Sequence, residues 1–190
     1  MYVQILLGAI VGLGYNVFDV PFASLVGTDG KLNANAKMIY SADDLNWEKA
    51  VMRQGVRDEV VRKGTSDIRS GQTMSPDDVL AALDVGVNTA SRLIAGGSRV
   101  LCVGEVGIGN TTSAAALISW CTGLHPFIAT GVGSGIPEDA HERKRQIVAD
   151  AVESLGGNLD ALEILERIGG LEIAAMVGFM TEAASVGVPV

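Results

Sequence analysis

The sequence predicts an α/β fold, with a three-layer, doubly wound and mainly parallel sheet. Apolar strand-like runs alternate with helix-like runs in the second half of the chain, and glycine-rich turns join them. This alternation is typical of parallel sheets that carry helices on both faces. The chain has 190 residues, 48% hydrophobic and 19% charged, so it is long enough to bury a core as one domain.

The N-terminal part, residues 1–40, is predicted to contain a helix, a short strand and a loop. Residues 5–13 are apolar but too few to span a bilayer, so we expect a buried helix and no membrane segment. No cationic segment precedes this run and no small-residue cleavage site follows it, which disfavours a signal peptide. Residues 15–20 resemble a strand, and residues 21–40 read as a loop.

Two helices in the middle of the chain have clear start signals. Polar capping residues predict a helix over residues 41–63, and residues 64–71 then form a loop. Ser75 is a capping residue followed by Pro76 and two acids, which favour the positive end of a helix dipole. A helix is therefore predicted over residues 76–95, and two glycines end it.

Two strand–turn–helix units follow and make the predicted sheet Rossmann-like. Their elements are a strand at 99–104, a helix at 111–121, a strand at 126–130 and helices at 137–155 and 171–184. Ligands of such sheets bind at the carboxyl ends of the strands, where the glycine-rich turns lie. Residues 186–190 resemble the start of a buried strand, so we expect a domain truncated at both ends.

Composition excludes several classes of function. The net charge is −8 and the longest basic run is residues 143–145, so no nucleic-acid partner is expected. Cys102 and Cys121 stand in apolar surroundings, which predicts buried free thiols in a reducing cytoplasm. His125 and His141 stand alone, so no metal site is predicted.

The strongest motif is residues 104–116, which read GEVGIGNTTSAAA. Glycines let a backbone turn sharply and approach an anion. Asn110, Thr111 and Thr112 place hydrogen-bond donors at the start of a helix, where free N–H groups attract a phosphate. An ordinary glycine-rich turn with a capped helix explains the same residues about equally well.

Two familiar nucleotide motifs do not fit this turn. Asn110 stands where a phosphate-binding loop of the Walker type needs its lysine. Thr112 stands where a dinucleotide fingerprint needs its third glycine. Neither ATP hydrolysis nor a nicotinamide-dependent dehydrogenase is therefore expected.

Two further segments are weaker signals when taken alone. Residues 131–135 read GVGSG, and Lys144 on the following helix could reach a phosphate bound there. A solvated basic helix face is the commoner explanation of Lys144 and its basic neighbours. Residues 169–178 are rich in small side chains that let a helix pack closely, and Glu172 at its start favours the helix dipole.

Taken together, these segments resemble the nicotinate-nucleotide–dimethylbenzimidazole phosphoribosyltransferase family. The resemblance covers about residues 15–190 in the family's order. It rests on the blocks GTSDI at 64–68 followed by Met74, GEVGIGNTTSAAA at 104–116, GVGSG at 131–135 with Lys144, and GGLEIAAM at 169–176.

The resemblance implies a reaction and a site. Nicotinate mononucleotide would give its ribose 5-phosphate to 5,6-dimethylbenzimidazole, releasing nicotinate and α-ribazole 5′-phosphate for the cobalamin nucleotide loop. Glu105 would be a carboxylate near the reacting ribose and base. The nucleotide would be bound by Gly107, Gly109, Asn110, Thr111, Thr112, Gly133, Ser134, Gly135 and Lys144. The family implies a homodimer that needs no metal or cofactor.

The sequence also departs from the family pattern. Val106, Val132 and Ser134 replace residues that are commoner in the family. The family's N-terminal region and its general-base glutamate have no counterpart in these 190 residues, so we expect this chain alone to transfer phosphoribose slowly or not at all. The alternative is a non-catalytic homologue or subunit that binds a ribonucleotide or a partner chain.

Overall fold

The computed structural model describes residues 4–9, 59–106, 109–133 and 135–190. The strand predicted at 15–20 and most of the helix predicted at 41–63 lie outside the described residues. The described elements are β1 (Gln4–Ala9), a 3₁₀ turn (Ile68–Ser70), α1 (Pro76–Ala95), β2 (Leu101–Val106), α2 (Asn110–Thr122), α3 (Pro126–Ala129), α4 (Glu138–Ser154), α5 (Ala161–Ile168) and α6 (Leu171–Ser185).

The start of α1 confirms the signals read from the sequence. The Ser75 hydroxyl accepts a hydrogen bond from the backbone N–H of Asp78 at 3.2 Å, and the Asp78 carboxylate accepts one from the Ser75 N–H at 3.0 Å. This reciprocal capping box satisfies two N–H groups that have no partner within the helix. The helix ends at Gly96, as predicted.

Helices α1 and α6 pack with their backbones in close contact. A Cβ atom added at Gly86 would lie 1.9 Å from the carbonyl oxygen of Ala175, and one added at Gly178 would lie 2.1 Å from that of Leu83. Only glycine fits at two such positions, so these residues set the distance between the helices. Phe179 is fully buried beside this contact.

A second buried cluster holds the two helices that carry the predicted phosphate ligands. Alanines of α2 face Val148 and Ala151 of α4, and Leu155 and Ile168 close the cluster. Small side chains at this interface let α2 and α4 approach closely. The packing therefore fixes the first turn of α2 relative to Lys144 on α4.

The described strands require a correction of the predicted sheet. Residues 5–13 were expected to be helical, but Gln4–Ala9 is a strand, because periodicity cannot separate a short apolar strand from a buried helix. It pairs antiparallel with β2, with Gln4 opposite Val106. The α/β character is confirmed, and β2 lies two residues beyond its predicted position, but the one pairing among the described strands is not parallel.

Two helices also differ from the prediction. Residues 126–130 were expected to be a strand, but Pro126–Ala129 is a short helix, whose start Pro126 favours through its fixed φ. The His125 ring accepts a hydrogen bond from the Phe127 N–H at 3.3 Å and caps this turn. Helix α5 was not predicted, although Asp160 and Glu163 form a capping box that marks its start.

The prediction of buried cysteines is wrong. Both Cys102 and Cys121 are exposed free thiols. In β2, Leu101 is fully buried and Cys102 points to the opposite face, because side chains alternate along a strand. Within the residues that the structure describes, no helix has the length and apolar character needed to cross a bilayer.

Candidate functional site

The first turn of α2 is the centre of the candidate site. Its cap is Gly109, which has a left-handed φ of 88° and no side chain to cap the helix. This conformation strongly favours glycine. The Thr111 N–H donates to the Asn110 side-chain oxygen at 2.6 Å. The predicted site residues Gly107 and Ser134 lie outside the described residues.

Lys144 reaches this turn from α4. Its Nζ donates to the Thr111 hydroxyl at 2.8 Å and to the Gly131 carbonyl at 3.0 Å. Gly133 has φ of 59°, and a Cβ there would lie 3.2 Å from the Thr111 hydroxyl and 3.5 Å from Nζ. The structure therefore brings together predicted ligands from three separate segments. Gly135 also has a left-handed φ, of 93°.

The charge of Lys144 is not neutralised by a carboxylate of the described residues. Arg143 pairs with Asp139 at 2.9 Å, and Arg145 lies near two glutamates at 3.3 and 3.4 Å. Arg143 is exposed and Arg145 is partly buried, and both lie near carboxylates, whereas the hydrogen bonds of Lys144 within the described residues go to neutral oxygens. Partial burial lowers the pKa of Lys144, because the charged form loses hydration. An anion at this position would replace that lost hydration.

His141 supports the same loop, a role that no sequence motif indicated. The ring is buried, and its Nε2 lies 2.8 Å from the carbonyl oxygen of Thr130, which is also buried. Since a carbonyl only accepts, Nε2 must carry the proton. His141 lies one turn before Lys144 on α4, so the two side chains share one face of the helix. From this face His141 contacts the start of the loop at Thr130, and Lys144 provides the positive charge.

Glu105 at the end of β2 is held by Asn110. The Asn110 amide donates to both oxygens of the half-buried Glu105 carboxylate. Asn110 is predicted from its sequence position to be a phosphate donor, but in this arrangement its side chain orients a carboxylate. The backbone of Asn110 still begins α2.

Glu172 is a second carboxylate near this position. It is only 6% exposed, although it was predicted to serve only the helix dipole. Burial raises its pKa, a hydrogen bond from its own backbone N–H opposes that rise, and repulsion from Glu105 adds to it. No sequence pattern indicated this burial, because it depends on how α6 packs.

A cleft of about 280 Å³ lies beside the first turn of α2 and is lined by Asn110 and Glu172, whereas Lys144, Thr111 and Glu105 do not line it. Its walls are residues 64–69, the first turn of α2, Ile147 of α4, and Gly170 and Glu172. Ligand pockets commonly have volumes of about 300–1,000 Å³, so the cleft is large enough for part of a nucleotide. Among the described residues there is no group of three or more side chains that could hold a metal ion.

Comparisons with known proteins give a consistent result. A family model described as "Phosphoribosyltransferase" matches residues 11–190. A nicotinate-nucleotide–dimethylbenzimidazole phosphoribosyltransferase from Thermus thermophilus is 40% identical over 135 residues, which is 71% of this chain and 40% of that protein. The enzyme of the same name from Clostridioides difficile is 34% identical over 137 residues, 72% of this chain and 39% of that protein.

A solved structure is similar as well. The crystal structure of CobT from Thermus thermophilus matches with a TM-score of 0.68 and 39% identity. The match covers 71% of this chain and 40% of that one. This chain therefore spans about 40% of the length of the relatives described here.

Proposed function

The chain belongs to this phosphoribosyltransferase family, and from that premise we propose that it takes part in one specific transfer. The phosphoribosyl group of nicotinate mononucleotide moves to 5,6-dimethylbenzimidazole, giving α-ribazole 5′-phosphate and nicotinate. The observation that carries this proposal is the position of Lys144, which meets the first turn of α2 without a carboxylate partner among the described residues. The relatives reported above favour this transfer over a non-catalytic role.

The phosphate of the nucleotide occupies the space between Lys144 and the first turn of α2. Lys144 supplies the positive charge, and the hydroxyl of Thr111 lies within reach of the same point. The helix start adds backbone dipoles that attract an anion. Gly133 has no side chain, which leaves room beside both groups. Phosphate bound here directs the ribose into the adjoining cleft.

The transfer needs positioning more than chemical activation. The C1′–nitrogen bond to the pyridinium ring breaks, and its electron pair neutralises the ring nitrogen. One azole nitrogen forms the new bond to C1′, and the proton on the other azole nitrogen is released to water. Because the ring nitrogen leaves as a neutral pyridine nitrogen, the proposed transfer needs no metal or cofactor to stabilise it. Glu105, oriented by Asn110, lies where it can stabilise positive charge on the ribose.

The proposal is tested by titrating the chain with nicotinate mononucleotide in a calorimeter. The matched control ligand is nicotinate riboside, which lacks only the phosphate, and it is expected to bind at least tenfold more weakly, since a charged hydrogen bond contributes about 1.5–3 kcal/mol. Product formation with 5,6-dimethylbenzimidazole is followed by mass spectrometry. Equal affinity for the two ligands would contradict the phosphate site, and absence of binding would contradict the function.

The oligomeric state, the cellular location and the full sheet topology are also proposals. The homodimer is implied by the family resemblance, whereas the cytoplasmic location follows from the free cysteines and the doubly wound parallel sheet from the alternation of strand-like and helix-like runs. One local contact supports a further strand beside β2, because the Leu101 N–H donates to the Pro189 carbonyl at 2.9 Å. Sedimentation analysis of the purified protein tests the dimer, and a single species with the mass of one chain would contradict it.

A further inference from the structure

Among the described residues of the cleft wall, Glu172 carries the one charge that is not balanced by another charge of the wall. The other two charged residues of the wall are Asp67 and Arg69, and they pair with each other at 2.6 Å. Arg62, which lies with Glu172 in a neighbouring small pocket, is bound to Asp78 at 2.8 Å. Glu172 therefore gives this end of the cleft a net negative charge.

The positive and negative groups lie on different sides of the first turn of α2. Lys144 contacts Thr111, whereas Ser113 lies 3.5 Å from the carbonyl oxygen of Gly169, beside the helix that carries Glu172. Residues two apart on a helix point in nearly opposite directions. The site thus has a cation on one side and a buried carboxylate on the other.

This polarity matches the charges of a pyridinium nucleotide, which has a phosphate at one end and a cationic ring at the other. Building on the proposed function, we propose that Glu172 is a specificity-determining residue that selects the positively charged ring of the donor nucleotide. When the C1′–nitrogen bond breaks, the ring nitrogen loses its positive charge and this attraction ends. The same residue therefore favours binding of the donor and release of the nicotinate product.

The surroundings of Glu172 suit attraction to a cation better than a hydrogen-bonding role. A quaternary ring nitrogen has no proton to donate, so a carboxylate recognises it through charge and not through a hydrogen bond. Within the described part of the chain, Glu172 receives a hydrogen bond only from its own backbone N–H, while Glu105 is held by Asn110. A Cβ at Gly170 would lie 2.4 Å from a carboxylate oxygen of Glu172, so that glycine makes room for the carboxylate.

Charged groups around Glu172 reinforce this preference. Glu105, at the end of β2, repels the negative charge of Glu172. The nearby opposite charges are already paired, since Asp67 binds Arg69 and Arg62 binds Asp78. Glu59 lies near Arg92. Burial and Glu105 together raise the pKa of Glu172, so its ionised form is costly in the empty site. A bound cation offsets that cost, which is why an uncharged ring should bind less well.

Oxidised and reduced nicotinamide mononucleotide are the probes, because the reduced ring has lost the positive charge and keeps nearly the same shape. Calorimetry at pH 7.5 measures both affinities for the 190-residue chain, for Glu172→Gln and for the control Glu153→Gln, which changes an exposed glutamate of α4. The wild-type chain is expected to bind the oxidised form at least about fivefold more tightly than the reduced form. This ratio corresponds to the attraction of about 1 kcal/mol between unit charges 4 Å apart in water. E172Q should reduce this ratio to about one, and E153Q should keep it.

Each outcome decides the proposal. A wild-type ratio near one, or an E172Q variant that keeps the wild-type ratio, would overturn the role of Glu172 while leaving the phosphate site intact. Binding of neither nucleotide to the wild-type chain would overturn the proposed function as well. If E172Q does not fold, as judged by circular dichroism, Glu172→Asp replaces it and should retain the preference, because it keeps the charge. Loss of the preference in E172D would count against the proposal.

Discussion

Replacing Lys144 by alanine is the sharpest test of the phosphate site. The side chain makes two hydrogen bonds in the free protein, to Thr111 at 2.8 Å and to Gly131 at 3.0 Å. Both acceptors belong to exposed residues, so water replaces the lysine when it is removed. We therefore expect the free energy of unfolding to change by no more than about 0.5 kcal/mol.

The same substitution should have a large effect on nucleotide binding. A hydrogen bond to a charged group contributes about 1.5–3 kcal/mol, which corresponds to an affinity for nicotinate mononucleotide that is about 10- to 150-fold weaker. Isothermal titration calorimetry measures the affinity directly. Affinity for nicotinate riboside should not change, because that ligand has no phosphate for Lys144 to contact.

The neighbouring Arg143 provides a matched control on the same helix. It pairs with Asp139 on an exposed face, and both side chains are about 70% exposed. Arg143→Ala removes an equal charge and should change the affinity less than about twofold. If K144A and R143A weakened binding equally, the effect would come from the net charge of the protein, and Lys144 would not be a ligand.

Substitutions at three positions, Gly178, His141 and Glu172, test the packing and the ionisation behaviour. Gly178→Ala should destabilise the protein by about 1–3 kcal/mol in urea unfolding, because its Cβ meets the Leu83 carbonyl; a gain in stability would contradict the close contact. His141→Phe should cost about 1–3 kcal/mol by leaving the buried Thr130 carbonyl unpaired, and His141→Gln should recover part of it. Since the pKa of Glu172 is raised on folding, its contribution to stability is greatest below its unfolded pKa of about 4.5 and is lost as the pH rises through the folded pKa. The melting temperature of E172Q relative to wild type should therefore increase from pH 5 to pH 8, and a constant difference would refute this linkage.

Local sequence signals determined much of the helical structure and the position of the main motif. Ser75 and Pro76 mark the start of α1, and the structure has the predicted capping box there. These signals work because a cap depends on residues three positions apart, whose geometry is set by the helix itself. The resemblance to the family added Lys144 as a ligand, which its local sequence alone did not favour.

The secondary structure of short apolar and proline-containing segments could not be predicted from local sequence. Residues 5–13 fit a strand or a buried helix equally well, and the pairing of Gln4–Ala9 with β2 joins residues about a hundred positions apart. The direction of that pairing depends on the path of the intervening chain. Pro126–Ala129 was assigned as a strand from its apolar side chains, although its proline also fits the first turn of a helix.

The charged residues of the candidate site also combine features that the sequence predicts with features that depend on tertiary packing. The glycine-rich turn, the lysine on the helix after the second loop, and the glutamates at positions 105 and 172 can all be found from the sequence. That Lys144 contacts neutral oxygens while Arg143 is paired, and that Glu172 is buried beside a cleft, depends on tertiary packing. Burial and pairing depend on which distant elements pack around a side chain, and local sequence does not contain that information.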